Sequence, residues 1–498
     1  MAFPSNWSRK AKIPINANKL DSDLSDFPLV LTAANLPDQM LDADGSHAAQ
    51  SDASDLRFSM DADGTTPIPA EVVTFEPEND PASARAEVWV KPDTLSSSSD
   101  TEIYAWWGNT GASAPTAGDP IGRNAVWDHD YNGVWHLQSG SNTSDSFTDA
   151  SGTGNHGTGG DGDQDKAPSD AANGAIGGAQ DFDGSDDRIR IPDDATLDPG
   201  GPLTLSFWFD KTGDSGNNAY PRPVSKGQST GNNGAYGVYL NDNNDKDVGF
   251  RYINTSDTRK TVSTTVSSAY DDAWHHLAVS FDPDTDEKSK IFYDGDLIET
   301  ASIPAEQIRD TDDALQIGNG NSQRPFHGKI DQVSLSAAER SADWLAARFA
   351  NEDDPGSFTS GVDVKPYVPN PVSDLTLDDD TTDSSIDLAN VFADVEDSDS
   401  SLTFSQTNVT NGSLIDTVSA DNGSNTLEID TALNADGTTD ITVAAEDSSG
   451  LIGKHTFTLT VNDTTAPSIN VDSVTSDNAI NATETTGGIT VTGSNDAE

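Results

Sequence analysis

Three aspartates crowd one tight turn in the middle of the chain. The stretch FDGSDDRIRI, residues 182–191, places Asp183, Asp186 and Asp187 around Gly184. Carboxylate oxygens are the ligands that Ca²⁺ prefers, so this spacing could hold one calcium ion. The same short side chains also accept hydrogen bonds from nearby backbone N–H groups, and Asp183 and Asp186 could simply build an Asx turn. The residues leave both interpretations open.

A second acidic stretch is FDPDTDEKSK, residues 281–290. Asp282, Asp284 and Asp286 form a D-x-D-x-D pattern, but the glycine and the closing glutamate of an EF-hand loop are missing. Strand-like sequences flank the stretch on both sides. The pattern therefore predicts a solvated loop between two strands and no catalytic role.

Aromatic and polar side chains are concentrated in the Gly- and Asn-rich stretch from residue 213 to residue 245. Loops carry binding residues more often than the scaffold does. Sugar rings stack on exposed aromatic faces, and polar side chains bond to their hydroxyls. The predicted ligand-binding residues are Tyr220, Arg222 and Tyr236, whereas most tryptophans fall in or near predicted strands and are expected in the core.

The charge of the whole chain narrows the classes of partner. The sequence has 84 acidic and 27 basic residues, a net charge of -57. Because like charges repel at long range, we expect no nucleic acid and no anionic membrane surface among the partners. The acids are spread along the whole chain, and such a surface stays hydrated in brine. We therefore predict a halophilic or marine system, with room for a few calcium sites.

The sequence has no cysteine, so disulfides and thiol chemistry are excluded. No apolar run approaches the ~20 residues of a membrane span, so we expect no membrane insertion. The first residues, MAFPSNWSRK, have no apolar leader region. We expect an extracellular or virion-surface location, reached after removal of a leader or by a route that needs none.

The first segment, residues 1–120, contains short windows in which apolar and polar residues alternate, as in KIPINANKL and AEVWVKP. This pattern is typical of half-buried strands. Its motifs NWSRKAKIPI, SDLRFSMDADG and IYAWWGN resemble a domain-of-unknown-function family (DUF2341) often found before lectin-like jelly rolls. The resemblance implies a β-sandwich-like domain and no settled activity.

The second segment, residues 124–358, carries the motifs AVWDHDYNGVWHL, LTLSFWFD and RPFHGKIDQVSLS in that order. It resembles the laminin-G-like, concanavalin A-like jelly roll. The resemblance implies a two-sheet antiparallel sandwich, with the helical run ADWLAARFA folded back onto it. It also implies a calcium ion near the FDGSDD turn, held by Asp183 and Asp186, with Asp331 on a neighbouring strand.

Glucanases also use the concanavalin A-like fold. Hydrolysis needs two acids that flank the scissile bond. In glucanases of this family the catalytic carboxylates lie on one strand in the pattern Glu-x-Asp-x-x-Glu or a near variant. None of the five glutamates between residues 124 and 358 has that spacing. We therefore predict a protein that is not an enzyme, with glycan hydrolysis through an aspartate pair as an alternative.

The third segment, residues 366–463, contains about seven short strand-like runs, and the fourth, residues 464–498, starts another. The third resembles cadherin-like, immunoglobulin-like repeats, and the fourth resembles the first part of a further repeat. Repeats of this family bind Ca²⁺ where one repeat meets the next. The resemblance implies calcium ligands at Glu396, Asp397, Asp447 and Asp463.

Together these patterns predict an all-β protein that attaches to surfaces without catalysis. A lectin-like head would recognise a cell-surface glycan or glycoprotein, and the immunoglobulin-like repeats would form a stalk. A virion attachment or decoration protein and a secreted adhesin both fit, as part of a larger assembly or oligomer. A structural capsid or surface spacer is the second hypothesis, and a glycan hydrolase is the third.

Overall fold

The computed structural model describes two compact units, Met1–Val362 and Asp363–Glu498. The residues it describes are 6–43, 48–138, 147–213, 220–227, 233–242, 246–285, 289–301, 306–320, 324–398, 401–464, 469–471 and 493–495. Nearly all of the regular structure is β-strand, as the sequence predicts. Within the described residues, no helix combines the length and apolarity that spanning a bilayer requires.

The N-terminal part of the first unit is built from nine strands and one short helix. One sheet has the strand order β1-β9-β4-β5, a second has the order β3-β7-β6, and β2 pairs with β8. Their bounds are β1 Arg9–Ile15, β2 Leu24–Ser25, β3 Leu29–Thr32, α1 Asp38–Leu41, β4 Arg57–Ser59, β5 Pro67–Ile68, β6 Ala70–Glu76, β7 Arg85–Val90, β8 Thr94–Leu95 and β9 Thr101–Trp107.

The remainder of the first unit contains α2, α3 and the strands β10 to β24. Their bounds are α2 Arg123–Val126, β10 Tyr131–Trp135, β11 Thr158–Gly159, β12 Ser169–Ala171, β13 Ala179–Asp183, β14 Ile189–Ile191, β15 Leu203–Lys211, β16 Val224–Lys226, β17 Tyr236–Leu240, β18 Asp247–Ile253, β19 Arg259–Thr265, β20 Trp274–Phe281, β21 Ser289–Tyr293, β22 Asp296–Ala301, β23 Leu315–Ile317, β24 His327–Ser336 and α3 Ala342–Asp353.

These strands form the two layers of a sandwich. The eight-stranded sheet has the order β12-β13-β24-β15-β20-β21-β22, with β10 also paired to β24. The seven-stranded sheet has the order β11-β14-β23-β16-β17-β18-β19. Every second residue of β15, from Leu203 to Phe209, is buried in the core, as its period of two predicts. Val238 and Phe250 of the seven-stranded sheet belong to the same core.

The helix α3 covers the outer face of the eight-stranded sheet. Its N-cap residue, Ser341, accepts a hydrogen bond from the backbone N–H of Trp344. Phe349 stacks on Trp208 at 5.6 Å between ring centroids. Glu352 accepts a hydrogen bond of 2.5 Å from the Trp208 indole and pairs with Arg348 at 2.7 Å. The predicted helix is confirmed.

The second unit contains a smaller sandwich. A four-stranded sheet has the order β26-β32-β31-β28, a three-stranded sheet has the order β27-β30-β29, and the two enclose one apolar core. The element bounds are β25 Asp363–Val364, β26 Leu375–Asp378, β27 Thr382–Asp387, α4 Leu388–Val391, β28 Thr403–Val409, β29 Ile415–Asp421, β30 Thr426–Thr431, β31 Gly437–Glu446, β32 Ile452–Asn462, β33 Ile469–Val471 and β34 Gly493–Asn495.

The predicted partial repeat, residues 464–498, falls mostly outside the described residues. Within that range β33 and β34 form an antiparallel pair. The predicted boundary near residue 120 lies within the first compact unit. The domain boundaries and the resemblance to cadherin-like repeats stay predictions.

Candidate functional site

The outer face of the seven-stranded sheet carries a cluster of arginine and tyrosine side chains. On β17, Tyr236, Val238 and Leu240 belong to the core, so Tyr239 lies on the opposite face. On β18, Val248, Phe250 and Tyr252 belong to the core, so Arg251 also lies on the outer face. We call the following five residues the guanidinium–tyrosine cluster: Tyr220, Arg222, Tyr239, Arg251 and Arg324.

Tyr239 is the centre of this cluster. The guanidinium carbons of Arg222 and Arg251 lie 5.0 Å and 4.9 Å from the centroid of its ring. Tyr220 meets the same ring edge-on at 5.8 Å, and Arg324 lies 5.9 Å from the Tyr220 ring. Cation–π attraction of this kind orients guanidinium groups on aromatic faces.

Gly249 on β18 makes room for the Tyr239 ring. The two residues are paired across the strands, and a Cβ at position 249 would lie 2.3 Å from the ring carbon Cζ of Tyr239. No side chain fits at that distance. The Tyr239 ring therefore packs directly against Gly249 on the neighbouring strand, which places the centre of the cluster against the sheet.

Two segments outside β17 and β18 hold the other members of the cluster. The backbone N–H of Arg222 donates to the carbonyl of Arg324 at 3.0 Å. The Arg222 side chain passes over Gly320, where a Cβ would approach its Cγ to 2.9 Å. Burial, followed by the charges of Arg251 and Arg324, lowers the pKa of Arg222 well below its ordinary value. Arg222 is therefore the buried member of the cluster, only 1% exposed.

The structure separates the three predicted ligand-binding residues. Tyr220 and Arg222 belong to the guanidinium–tyrosine cluster. Tyr236 instead lies in the core, only 4% exposed, and its hydroxyl donates to the carbonyl of Leu197 at 2.9 Å. Sequence reasoning missed Tyr239, Arg251 and Arg324. Strand alternation in AYGVYL could have placed Tyr239 opposite Tyr236, but nothing local indicates that the three arginines converge.

The three aspartates of the FDGSDD turn come together at the end of β13. Carboxylate oxygens of Asp183, Asp186 and Asp187 lie within 4.8 Å of one another. Asp187 accepts from the backbone N–H of Asp183, and burial and the neighbouring carboxylates raise its pKa to about 6. Such a donor set fits a hard cation such as Ca²⁺. Asp183 also accepts from the N–H of Ser185, so the Asx turn exists as well.

Asp331 does not join this group. In the pairing of β13 with β24, Asp183 lies opposite His327, four positions before Asp331 on β24, which corresponds to ~13 Å along a strand. Asp331 is fully buried and accepts hydrogen bonds from the backbone N–H groups of Ile176 and Gln332. The expectation that Asp331 shares an ion with the turn is therefore wrong.

The acids predicted to bind calcium in the second unit lie at two ends of its sandwich. Asp447 sits in the turn between β31 and β32, whereas Asp463 follows the far end of β32, which corresponds to ~35 Å along the strand. The two cannot share one ion. Asp397 lies near Asp447, because it accepts from the backbone N–H of Ser448 at 2.8 Å.

Asp394, which sequence reasoning missed, is part of the acidic group near Asp447. Asp447 is 6% exposed, and one oxygen of its carboxylate and one of the Asp394 carboxylate have no hydrogen-bond partner among the described atoms. Burial and nearby carboxylates raise the pKa of Glu396 to about 7 and of Asp447 to about 6. Among the described residues, the aspartates of the FDGSDD turn are the only set of three or more with ligand atoms within 4.8 Å.

A buried polar network connects β6 and β7 of the N-terminal sheets with the sandwich. His136 lies 3.1 Å from a Glu71 oxygen and 3.4 Å from a Glu87 oxygen. Glu71 accepts from the Trp127 indole, and Gln332 donates to Glu87 at 2.8 Å. Burial raises the pKa of Glu87 to about 7, and the two carboxylates raise the pKa of His136 to about 9 against the opposing effect of burial.

Glu71 also lines two cavities, of about 490 Å³ and 220 Å³. Glu87 is 1% exposed and lines neither of these two cavities. Hydrolysis of a glycosidic bond needs two carboxyl groups that both reach the substrate. Of Glu71 and Glu87, only Glu71 faces these two cavities.

Comparison with known families identifies the sandwich. Residues 183–346 match a laminin-G family model described as the concanavalin A-like lectin/glucanases superfamily. This match confirms a concanavalin A-like domain over residues 183–346, within the predicted segment 124–358, whose bounds stay a prediction. The description names lectins and glucanases together, so it does not separate binding from hydrolysis. A comparison with curated protein sequences gave no match.

Three solved structures are among those to which this chain is similar. The binding domain of Paraclostridial Mosquitocidal Protein 1 is 14% identical, with a TM-score of 0.35, over 44% of this chain and 52% of that chain. The botulinum neurotoxin serotype D ligand-binding domain in complex with N-acetylneuraminic acid is 11% identical, with a TM-score of 0.35, over 46% of this chain and 52% of that chain. Domain 4 of AbnA, an arabinanase from Geobacillus stearothermophilus, in complex with arabinotriose, is 15% identical, with a TM-score of 0.33, over 44% of this chain and 97% of that chain. The chain spans about half the length of the first two.

Proposed function

We propose that this protein recognises a cell-surface glycan or glycoprotein without catalysis, through the outer face of its seven-stranded sheet. The observation that carries the proposal is the guanidinium–tyrosine cluster, in which the half-buried Tyr220 adjoins three arginines. Arg251 lies on β18, Arg324 lies in a neighbouring segment, and Arg222, which is only 1% exposed, supports the cluster from below. A planar ring offers a stacking surface to a sugar, and guanidinium groups donate paired hydrogen bonds to its oxygens. Concave or rigid surfaces with a few convergent polar groups are the usual form of a binding site.

Glycan-array binding tests this proposal. We expect the wild-type protein to bind a restricted set of glycans, and Tyr220→Ala to weaken that binding at least tenfold. The matched control is Tyr367→Ala, which removes a partly exposed tyrosine from the second unit. A protein that binds no glycan on a broad array would contradict recognition and favour the structural-spacer hypothesis.

Calcium belongs to the proposal as a stabilising ion. Asp183, Asp186 and Asp187 would hold it in the first unit, and Glu396, Asp397, Asp447 and Asp463 stay candidates in the second. The ion would neutralise carboxylates that otherwise repel one another. Calorimetry with Ca²⁺ and with a chelator measures this directly, and Asp187→Asn should abolish the part of the rise in Tm that comes from the first unit.

Glycan hydrolysis is the second candidate, because Glu71 faces two cavities and Glu87 has a raised pKa. A reducing-sugar assay on broad polysaccharides decides between hydrolysis and binding. Product formation that disappears in Glu71→Gln would establish an enzyme. We expect no product with either protein.

We place the protein outside the cell, in keeping with a lectin-like domain. Its acidic surface suits a halophilic or marine system, and assembly on a virion or secretion as an adhesin both fit the proposed recognition. Electron microscopy of particles labelled with an antibody to this chain separates these two settings.

A further inference from the structure

We propose that the ammonium group of Lys226 occupies a divalent-cation site of the sandwich, so that this site holds two segments of the seven-stranded sheet together without calcium. The inference is independent of the proposed glycan recognition. Lys226 is the last residue of β16, and its side chain is 0% exposed. Because an isolated charge is costly to bury, an ammonium group at this depth needs close anionic and polar partners.

Four oxygen atoms from two other segments surround this ammonium group. The carboxylates of Asp193 and Asp198 lie 2.5 Å and 2.9 Å from the Nζ atom of Lys226. The main-chain carbonyls of Thr311 and Asp313 lie 2.9 Å and 2.8 Å from the same atom. An ammonium group has three N–H donors, so four oxygens at these distances surround it as ligands surround a metal ion. Two carboxylates with two carbonyls are hard oxygen ligands of the kind that Ca²⁺ accepts.

The cation joins the segment that follows β14 to the segment that precedes β23. Between these two segments there is also a hydrogen bond from the backbone N–H of Thr311 to the Asp198 carboxylate, but it is long, at 3.4 Å. The segment after β14 is tied to β17 as well, because the Tyr236 hydroxyl donates to the carbonyl of Leu197 at 2.9 Å. The shorter contacts of Lys226 are therefore the stronger link between the two segments.

The surrounding charges explain why a cation is needed at this point. The side chain of Asp198 is only 6% exposed. Burial raises the pKa of Asp198 to about 6, against the lowering effect of Lys226, and Asp310 adds to the rise. At about pH 7.5 the Asp198 carboxylate is therefore ionised. Removal of the ammonium would leave two close carboxylates without their counter-charge, and a free cation could then replace it.

Calcium binding to variants of Lys226 tests the inference at about pH 7.5, above the raised pKa of Asp198. Lys226→Ala shortens the side chain and empties the space between the four oxygens. We expect its Tm in chelator to fall by roughly 5 °C or more, because one partner of a buried ion pair is lost. Calcium should restore at least half of that fall, and calorimetric titration should find one calcium ion more than in the wild type.

Two further variants define what the calcium must contact. Lys226→Met fills the same space without a charge, so it should lose stability and gain no calcium site. In the double variant Lys226→Ala with Asp193→Asn, one of the two carboxylates is missing, and we expect calcium affinity at least tenfold below that of Lys226→Ala. Any calcium bound at the FDGSDD turn is common to all of these proteins and cancels in the comparison.

The matched control is Lys211→Ala. The Lys211 side chain is 2% exposed, and its ammonium contacts the Asp242 carboxylate at 3.0 Å and the carbonyl of Gly213. This variant also removes a buried ammonium group, but two oxygens do not make a set of ligands for Ca²⁺. Its Tm should fall, and calcium should restore none of the fall beyond the rise seen in the wild type.

Hydrogen–deuterium exchange locates the effect in the chain. In the wild type, residues 193–198 and 311–315 should exchange at the same rate with calcium and with chelator. In Lys226→Ala they should exchange faster with chelator and slow again with calcium. The inference is overturned by slower wild-type exchange of these residues with calcium, or by a Lys226→Ala protein that gains no calcium ion or stays unfolded with calcium. Equal recovery of Lys211→Ala would also overturn it.

Discussion

Single side chains determine how the first unit responds to pH. His136 lies between Glu71 and Glu87 with its pKa raised to about 9, and the pKa of Glu87 is raised to about 7. A raised histidine pKa contributes stability that is present below its ordinary value near 6.5 and lost as pH rises through 9. A raised glutamate pKa also means that stability falls as pH rises, here from about 4.5 to 7.

We therefore expect the free energy of unfolding to fall between pH 5 and pH 9. His136→Gln removes the cation that lies between the buried Glu71 and Glu87, and of these two only Glu71 keeps a cationic neighbour, Arg123 at 4.0 Å. We expect a cost of about 3–5 kcal/mol at pH 6, the usual effect of breaking a buried ion pair. In this variant the histidine's contribution to the fall in stability between pH 6.5 and 9 should disappear, so that only the contribution of the carboxyl groups remains. Urea unfolding at several pH values measures both effects.

The control for this prediction is His129→Asn, because His129 is exposed and has a positive φ that asparagine tolerates. Its pH profile should follow the wild type. If His136→Gln kept the full pH dependence, the titration would have to arise elsewhere in the protein.

At the scale of elements, Gly249 determines whether β18 can accept the ring of Tyr239. A Cβ at this position would lie 2.3 Å from the ring. We expect Gly249→Ala to lower the free energy of unfolding by about 1–3 kcal/mol through overpacking, and to weaken glycan binding with it. Gly200→Ala serves as the control, because no atom lies within 4 Å of a Cβ there. Equal stability of the two variants would contradict the close packing of Tyr239 on the strand.

The helix α3 depends on its buried ion pair. Glu352 is 1% exposed, pairs with Arg348 at 2.7 Å and accepts from Trp208. Removal of the carboxylate charge in Glu352→Gln leaves the Arg348 guanidinium buried without its counter-charge, so we expect a loss of about 3–5 kcal/mol. The double variant Arg348→Met with Glu352→Leu should recover much of that loss. A single variant as stable as the wild type would contradict a role for the pair in holding the helix.

Sequence patterns predicted most of the elements and only part of the candidate site. The period of two in LTLSFWF identified the buried face of β15, and ADWLAARFA identified α3, because local periodicity records which side faces the core. The guanidinium–tyrosine cluster depends on long-range pairing that brings Arg324 beside Arg222, about a hundred positions earlier in the chain. The short acidic turn could be found from the sequence, whereas the distance of Asp331 from it follows from the register of β13 and β24.

For the whole molecule, charge is the dominant property. A net charge of -57 favours expansion of the chain through self-repulsion, and added salt screens that repulsion. We expect Tm to rise steadily from about 0.01 M to about 1 M NaCl, over which the Debye length falls from about 30 Å to 3 Å. Sucrose of equal osmolality is the control and should give a smaller rise. A Tm that is independent of salt would contradict the predicted adaptation to brine.

The central claim is that recognition takes place on the outer face of the seven-stranded sheet. Hydrogen–deuterium exchange, measured with and without a glycan identified on the array, tests it most directly. We predict slower exchange in peptides from β17 and β18, residues 236–253, and around residue 324. Protection confined to peptides around Glu71 and Arg123, which line the cavities of the N-terminal part, would contradict the claim.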